Sequence, residues 1–218
     1  MEKTIENIWK EGFLKNDALV APKINNLYSR KSMHIIDKFK RMFRVNLVVI
    51  VAFSFVFLLV SYFLGIGIMG VIFFLTLIPL VVINRRLLKN LEKIDKGENS
   101  YQYLKSFNRW IKKQVELNKR MSAILYPIFF VALVLGLWFK DVEGISLGER
   151  LVSKILSVFP DTTLVFGIPV LIVLPALFII GLLAILGGRI YQWDVNIVYG
   201  RIFKKLEELL TDIEELNV

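Results

Sequence analysis

Gly65-x-Gly67-x-x-Gly70 is the one string in this sequence that matches a phosphate-binding fingerprint. That motif holds a pyrophosphate only when it follows a strand and opens a helix whose N-terminal amides face the anion. Here it sits between two long apolar runs, with no acidic residue twenty positions on. The three glycines therefore read as a tight turn, with small residues that let two helices approach closely.

The other candidates for chemistry are few. His34 is the only histidine and there is no cysteine. One imidazole without a second His or a Cys is a poor metal site, and no thiolate or disulfide chemistry is open to the chain. His34 reads as a surface or packing residue. No catalytic, cofactor or metal residue is expected.

The uncharged runs carry more information. Val45–Asn84, Met121–Phe139 and Thr162–Gly188 contain no Asp, Glu, Lys, Arg or His. Ionisable groups at membrane depth mark proton relays and ion sites, because they are too costly to keep otherwise. Their absence argues against a proton-coupled pump or an intramembrane protease. Apart from Asn46 and Asn84 at the two ends of the first run, the polar content is Ser54, Ser61, Thr76, Ser122, Thr162 and Thr163, with Tyr62 and Tyr126 nearer the ends. Proline is the remaining irregularity: Pro79, Pro127, Pro169 and Pro175 all fall in these runs. Each removes a backbone hydrogen bond and tends to kink a helix. Gly167-x-Pro169 followed by Pro175 makes the last run the most distorted, and Pro169 and Pro175 are its candidate hinge.

The elements that position these residues follow from length and solvent. The chain has 218 residues, 56% of them hydrophobic, well above the roughly 45–50% of a soluble domain. A hydrocarbon core about 30 Å thick takes roughly 20 helical residues to cross. Met121–Phe139 crosses once and Thr162–Gly188 once. Val45–Asn84 is twice too long for one crossing and must double back at Gly65–Gly70. The expected fold is all-α, a polytopic membrane protein of four transmembrane helices with cytoplasmic helical extensions. The first apolar run begins only after 44 residues, too far in for a cleavable signal.

Orientation follows from Lys and Arg. The net charge is +9. The first 44 residues hold ten basic side chains and residues 85–120 hold eleven, against three in residues 140–161 and none in the glycine turn. The positive-inside rule puts the two basic segments, and with them both termini, in the cytoplasm. A bacterial cytoplasmic membrane fits this layout. The charge is then topology and attraction to anionic lipid rather than nucleic-acid binding.

Outside the spans the pattern is helical. Ile5, Ile8, Trp9 and Phe13 recur at helix spacing; a connector containing Pro22 follows over Asn16–Asn26; Ser32 then caps a helix with Ile35, Ile36, Phe39, Met42 and Phe43 on its apolar face. In residues 84–120, Leu87, Leu88 and Leu91 extend the second span to about Gly97. After Ser100, the residues Tyr103, Leu104, Phe107, Trp110 and Ile111 lead into the third, which makes an antiparallel hairpin. In residues 140–161, Ser146-Leu147-Gly148-Glu149 reads as a capping box opening a short interfacial helix. No internal repeat stands out.

The tail has the cleanest period: Tyr199, Ile202, Leu206, Leu209, Ile213 and Leu216 step by three and four, a heptad seam. It packs either on the chain's own Phe107–Trp110 hairpin or on a partner. Ile5, Ile8, Trp9, Phe13 and Ile202, Leu206, Leu209, Ile213, Leu216 are thus the candidate partner-binding residues. The functional expectation is a non-enzymatic membrane regulator, sequestering protein or scaffold that binds a cytoplasmic protein. The alternative is a transporter or channel subunit with the proline-rich fourth span near its pathway. Self-association into a homo-oligomer stays open.

Overall fold

A charge-free run of forty residues broken by glycines dictates a helical hairpin, and the chain folds that way. In a computed structural model, which describes the backbone of residues 5–92 and 100–216 and the side chains of residues 30–92 and 101–215, α1 (Ile5–Phe63) ends two residues before Gly65 and α2 (Gly67–Glu92) starts at Gly67. Gly65 takes φ +73°, the left-handed conformation that the reversal needs. A Cβ on Gly70 would fall on the Ser61 hydroxyl, so these small residues do bring α1 and α2 into close contact. α3 (Ser100–Trp138) and α5 (Val170–Leu216) complete an antiparallel set in which α1 meets α2, α2 meets α3 and α3 meets α5. All four are long and apolar enough to cross a membrane.

Two expectations about α1 are corrected. The helix is continuous from Ile5 to Phe63, roughly 88 Å at about 1.5 Å per residue. The connector at Asn16–Asn26 is absent, because a proline costs a helix one hydrogen bond and does not by itself end it. Ser32 is a mid-helix residue, 1% exposed, rather than an N-cap.

The buried core lies at the end of the bundle that holds both termini, here called the basal end. It joins Ile36, Phe39 and Phe43 of α1, Leu88 and Leu91 of α2, Tyr103, Leu104, Phe107 and Ile111 of α3, and six residues of α5. Phe39 sits at its centre, with the Phe107 ring edge-on at 5.5 Å, Trp110 at 5.9 Å and Tyr199 at 5.1 Å. The Trp110 indole donates to the Leu87 carbonyl at 3.1 Å, and the Tyr101 hydroxyl bonds a Glu214 carboxylate oxygen at 2.9 Å. In contrast, only 6 to 17% of the most apolar stretch of each spanning helix is buried. The side chains these stretches leave exposed are largely apolar.

The opposite end carries a repeat that the sequence reading missed. β1 (Asp141–Val142) pairs with β2 (Ile145–Ser146), and β3 (Leu164–Val165) with β4 (Ile168–Pro169), each antiparallel. The turns have positive φ at both central residues: Glu143 and Gly144 in one, Phe166 and Gly167 in the other. That is the type I′ signature of a two-residue hairpin. Each hairpin closes alike, Leu147 N to Lys140 O and Val170 N to Thr163 O, both 2.9 Å, and each runs directly into a helix. The signal is Val142-x-Gly144-Ile145 and Val165-x-Gly167-Ile168. α4 (Leu147–Val158) follows the first hairpin, with the Ser146 hydroxyl accepting from Glu149 N at 3.2 Å as the capping pattern predicts. The second hairpin replaces the expected start of the fourth span: α5 begins at Val170, not Thr162. Pro169 therefore ends a strand and is not a hinge inside a helix, whereas Pro175 lies in the second turn of α5.

Candidate functional site

Four polar side chains on α3 fall four residues apart: Gln114, Asn118, Ser122 and Tyr126. Four residues on a helix return to nearly the same face. Here that face points inward, with Gln114 5%, Asn118 2% and Ser122 6% exposed. Asn84, the last residue of the charge-free hairpin, meets them from α2 and is 4% exposed. The Asn84 amide donates to Asn118 Oδ1 at 2.9 Å and the Asn118 amide donates to Asn84 Oδ1 at 3.0 Å. Gln114 Nε2 adds a bond to Asn84 Oδ1 at 3.4 Å. The two asparagine amides also donate to their own helices' carbonyls, Asn84 to Leu80 O and Asn118 to Gln114 O, both at 2.9 Å. A buried polar set satisfied in this way fixes one register between α2 and α3.

This set floors a cleft of about 310 Å³ at the junction of the apolar spans and the basal core. Its exposed rim is Asn46 of α1 with Asp194 and Val198 of α5, so the mouth lies along the α1–α5 seam. Asn46 donates to the Tyr199 hydroxyl across that seam at 3.4 Å. Burial pushes the Tyr191 and Tyr199 phenols above their ordinary range, against a smaller lowering by the hydrogen bonds of Gln114 and Asn46. Both therefore stay neutral donors near pH 7. Amides, phenols, one hydroxyl and the Asp194 carboxylate can hold a small polar group by hydrogen bonds. The close passage of α5 over α3 depends on Gly187, where a Cβ would stand 2.8 Å from the Ser122 carbonyl oxygen.

The residues singled out in the sequence lie elsewhere. Ile202, Leu206, Leu209 and Ile213 are 2–8% exposed within the basal core, in one cluster with Phe107. The described residues of the heptad seam are thus spent on the chain's own hairpin and offer no free docking face. The backbone of Ile5, Ile8, Trp9 and Phe13 is helical, and their side chains, like that of Leu216, lie outside the described residues. Pro175 stands roughly 24 Å along α5 from Tyr191, so the proline and the cleft are separate features. His34 is exposed, beside Lys31, Glu208 and Asp212 on a shallow groove. Among the described residues no three His, Asp or Glu side chains converge as metal ligands.

No family model, curated protein or solved structure matches the chain.

Proposed function

We propose that this chain is a non-enzymatic integral membrane regulator with both termini in the cytoplasm, whose basal bundle binds a cytoplasmic protein. The observation that supports it most is shared lining: Phe43, Val195 and Tyr199 belong to the basal core and also wall the polar cleft. Whatever occupies the cleft touches the packing of the bundle directly, without a linker between them. The heptad seam is buried, so the partner meets the outward faces. Toward its end α5 exposes the acidic side chains Glu207, Glu208, Asp212, Glu214 and Glu215.

The test is purification in mild detergent from the native host after brief crosslinking, with bound proteins identified by mass spectrometry. A stoichiometric soluble partner, lost on Glu207→Lys/Glu208→Lys, supports the reading. A homo-oligomer with nothing else bound refutes it.

A second reading, a transporter or channel subunit, draws on Ser122 and Tyr126, which carry the polar lining past the charged segment into the third span. It expects solute flux in reconstituted vesicles that Asn118→Leu abolishes.

A further inference from the structure

Arg44 immediately precedes the charge-free hairpin and Arg85 immediately follows it. The antiparallel pairing of α1 and α2 brings both to one groove, which Lys89 joins one helical turn further on. The groove holds about 530 Å³, and below the three cations its walls are apolar, among them Leu47 and Val51 of α1 and Val81 of α2. Arg44 pairs with Glu92 at 3.3 Å, in an exposed contact worth little on its own. Among the described residues Arg85 and Lys89 form no ion pair. The site therefore carries three cations and one carboxylate at its mouth and hydrocarbon behind them.

We infer that this groove binds an anionic phospholipid of the inner leaflet. The phosphate would lie against Arg44, Arg85 and Lys89, and an acyl chain along Leu47, Val51 and Val81. A guanidinium presents forked donors that match two phosphate oxygens, and two guanidiniums with an ammonium exceed what one zwitterionic headgroup neutralises. Arg44 and Arg85 stand at the last charged positions on either side of the uncharged run, with Lys89 one turn beyond, where headgroup phosphates meet the hydrocarbon boundary. The apolar walls distinguish the site from a patch that only attracts counterions. The inference rests on the membrane reading above, with the basal end in the cytoplasm.

The experiment uses the full chain purified in a neutral detergent and titrated with phosphatidylglycerol or phosphatidylcholine, bound lipid being read by native mass spectrometry and by thermal shift. Phosphatidylglycerol is expected to bind selectively and raise the unfolding temperature. Arg85→Gln/Lys89→Gln is expected to weaken that binding on the order of tenfold to thirtyfold. The same charge removed from α3, Arg109→Gln/Lys113→Gln, leaves it within about twofold. Soluble glycerol phosphate is expected not to compete, because it lacks the chain that fills the groove. Equal binding of the two lipids, equal loss in both double variants, or displacement by glycerol phosphate overturns the inference. Carbonate extraction of native membranes separates the two levels. A chain that stays in the pellet without lipid preference sinks this inference alone, whereas a chain released into the supernatant sinks the membrane reading with it.

Discussion

Asn84 and Asn118 hydrogen-bond each other in both directions, at 2.9 and 3.0 Å, across the contact between α2 and α3. A reciprocal amide pair satisfies both partners only at one relative height of the two helices. It stands where the apolar spans give way to the basal core, with the polar cleft beside it.

Removing one member of this pair leaves the other buried and unpaired, at a cost of about 1–3 kcal/mol. Asn118→Leu is expected to lower the unfolding temperature in detergent, and Asn84→Leu/Asn118→Leu to recover part of the loss. A double variant as unstable as the sum of the two single ones would show that the amides do not act as a pair.

Gly187 lies against the Ser122 carbonyl, whereas a Cβ on Gly181 meets nothing within 4 Å. Gly187→Val should push α5 off α3, lowering thermal stability and opening the cleft, while Gly181→Val should leave stability nearly unchanged. Equal effects from the two would mean that the close approach is not what Gly187 supplies.

The burial of the heptad seam has its own test. Leu206 is 2% exposed and Phe107 0%. Leu206→Glu is expected to prevent folding, because a lone carboxylate in an apolar core is strongly disfavoured. Phe107→Ala should cost about 3–5 kcal/mol in denaturant unfolding. If Leu206→Glu folded normally and lost only a bound protein, the seam would be a docking face after all.

The absence of cysteine makes the proposed orientation directly measurable. Ser157 of α4 and Glu207 of α5 are both exposed, at opposite ends of the bundle. Ser157→Cys should react with an impermeant thiol reagent in intact cells, and Glu207→Cys only after lysis. The reverse pattern would turn the topology over.

The sequence by itself determined what depends on chain-local solvation. Four runs long and apolar enough to cross a bilayer, the glycine turn between the first two, the Ser146 cap and the period of the tail helix each follow from residues close together in the chain, because helix length, caps and turns are short-range physics. Even so, Leu164–Pro169 read as helix, since an apolar run states its solvent and not its backbone conformation. The Val-x-Gly-Ile signal it shares with residues 142–145 is the local mark of the hairpin. Pro22 read as a break because a proline announces a missing donor and does not say whether the helix continues past it.

Tertiary structure decided what depends on which faces meet. The period of Tyr199–Ile213 is the same whether a second chain or Phe107 covers it, and only the packing of α5 against α3 chose the latter. Gln114, Asn118 and Ser122 are unremarkable as composition, and their four-residue spacing was legible. Asn84, thirty residues before Gln114, joins them only through the antiparallel fold of α2 on α3. The groove at Arg44 and Arg85 arises in the same way, from two ends of one uncharged hairpin. Contacts between residues far apart in the chain are made by helix pairing, and a linear pattern carries each partner's half without saying that the halves join.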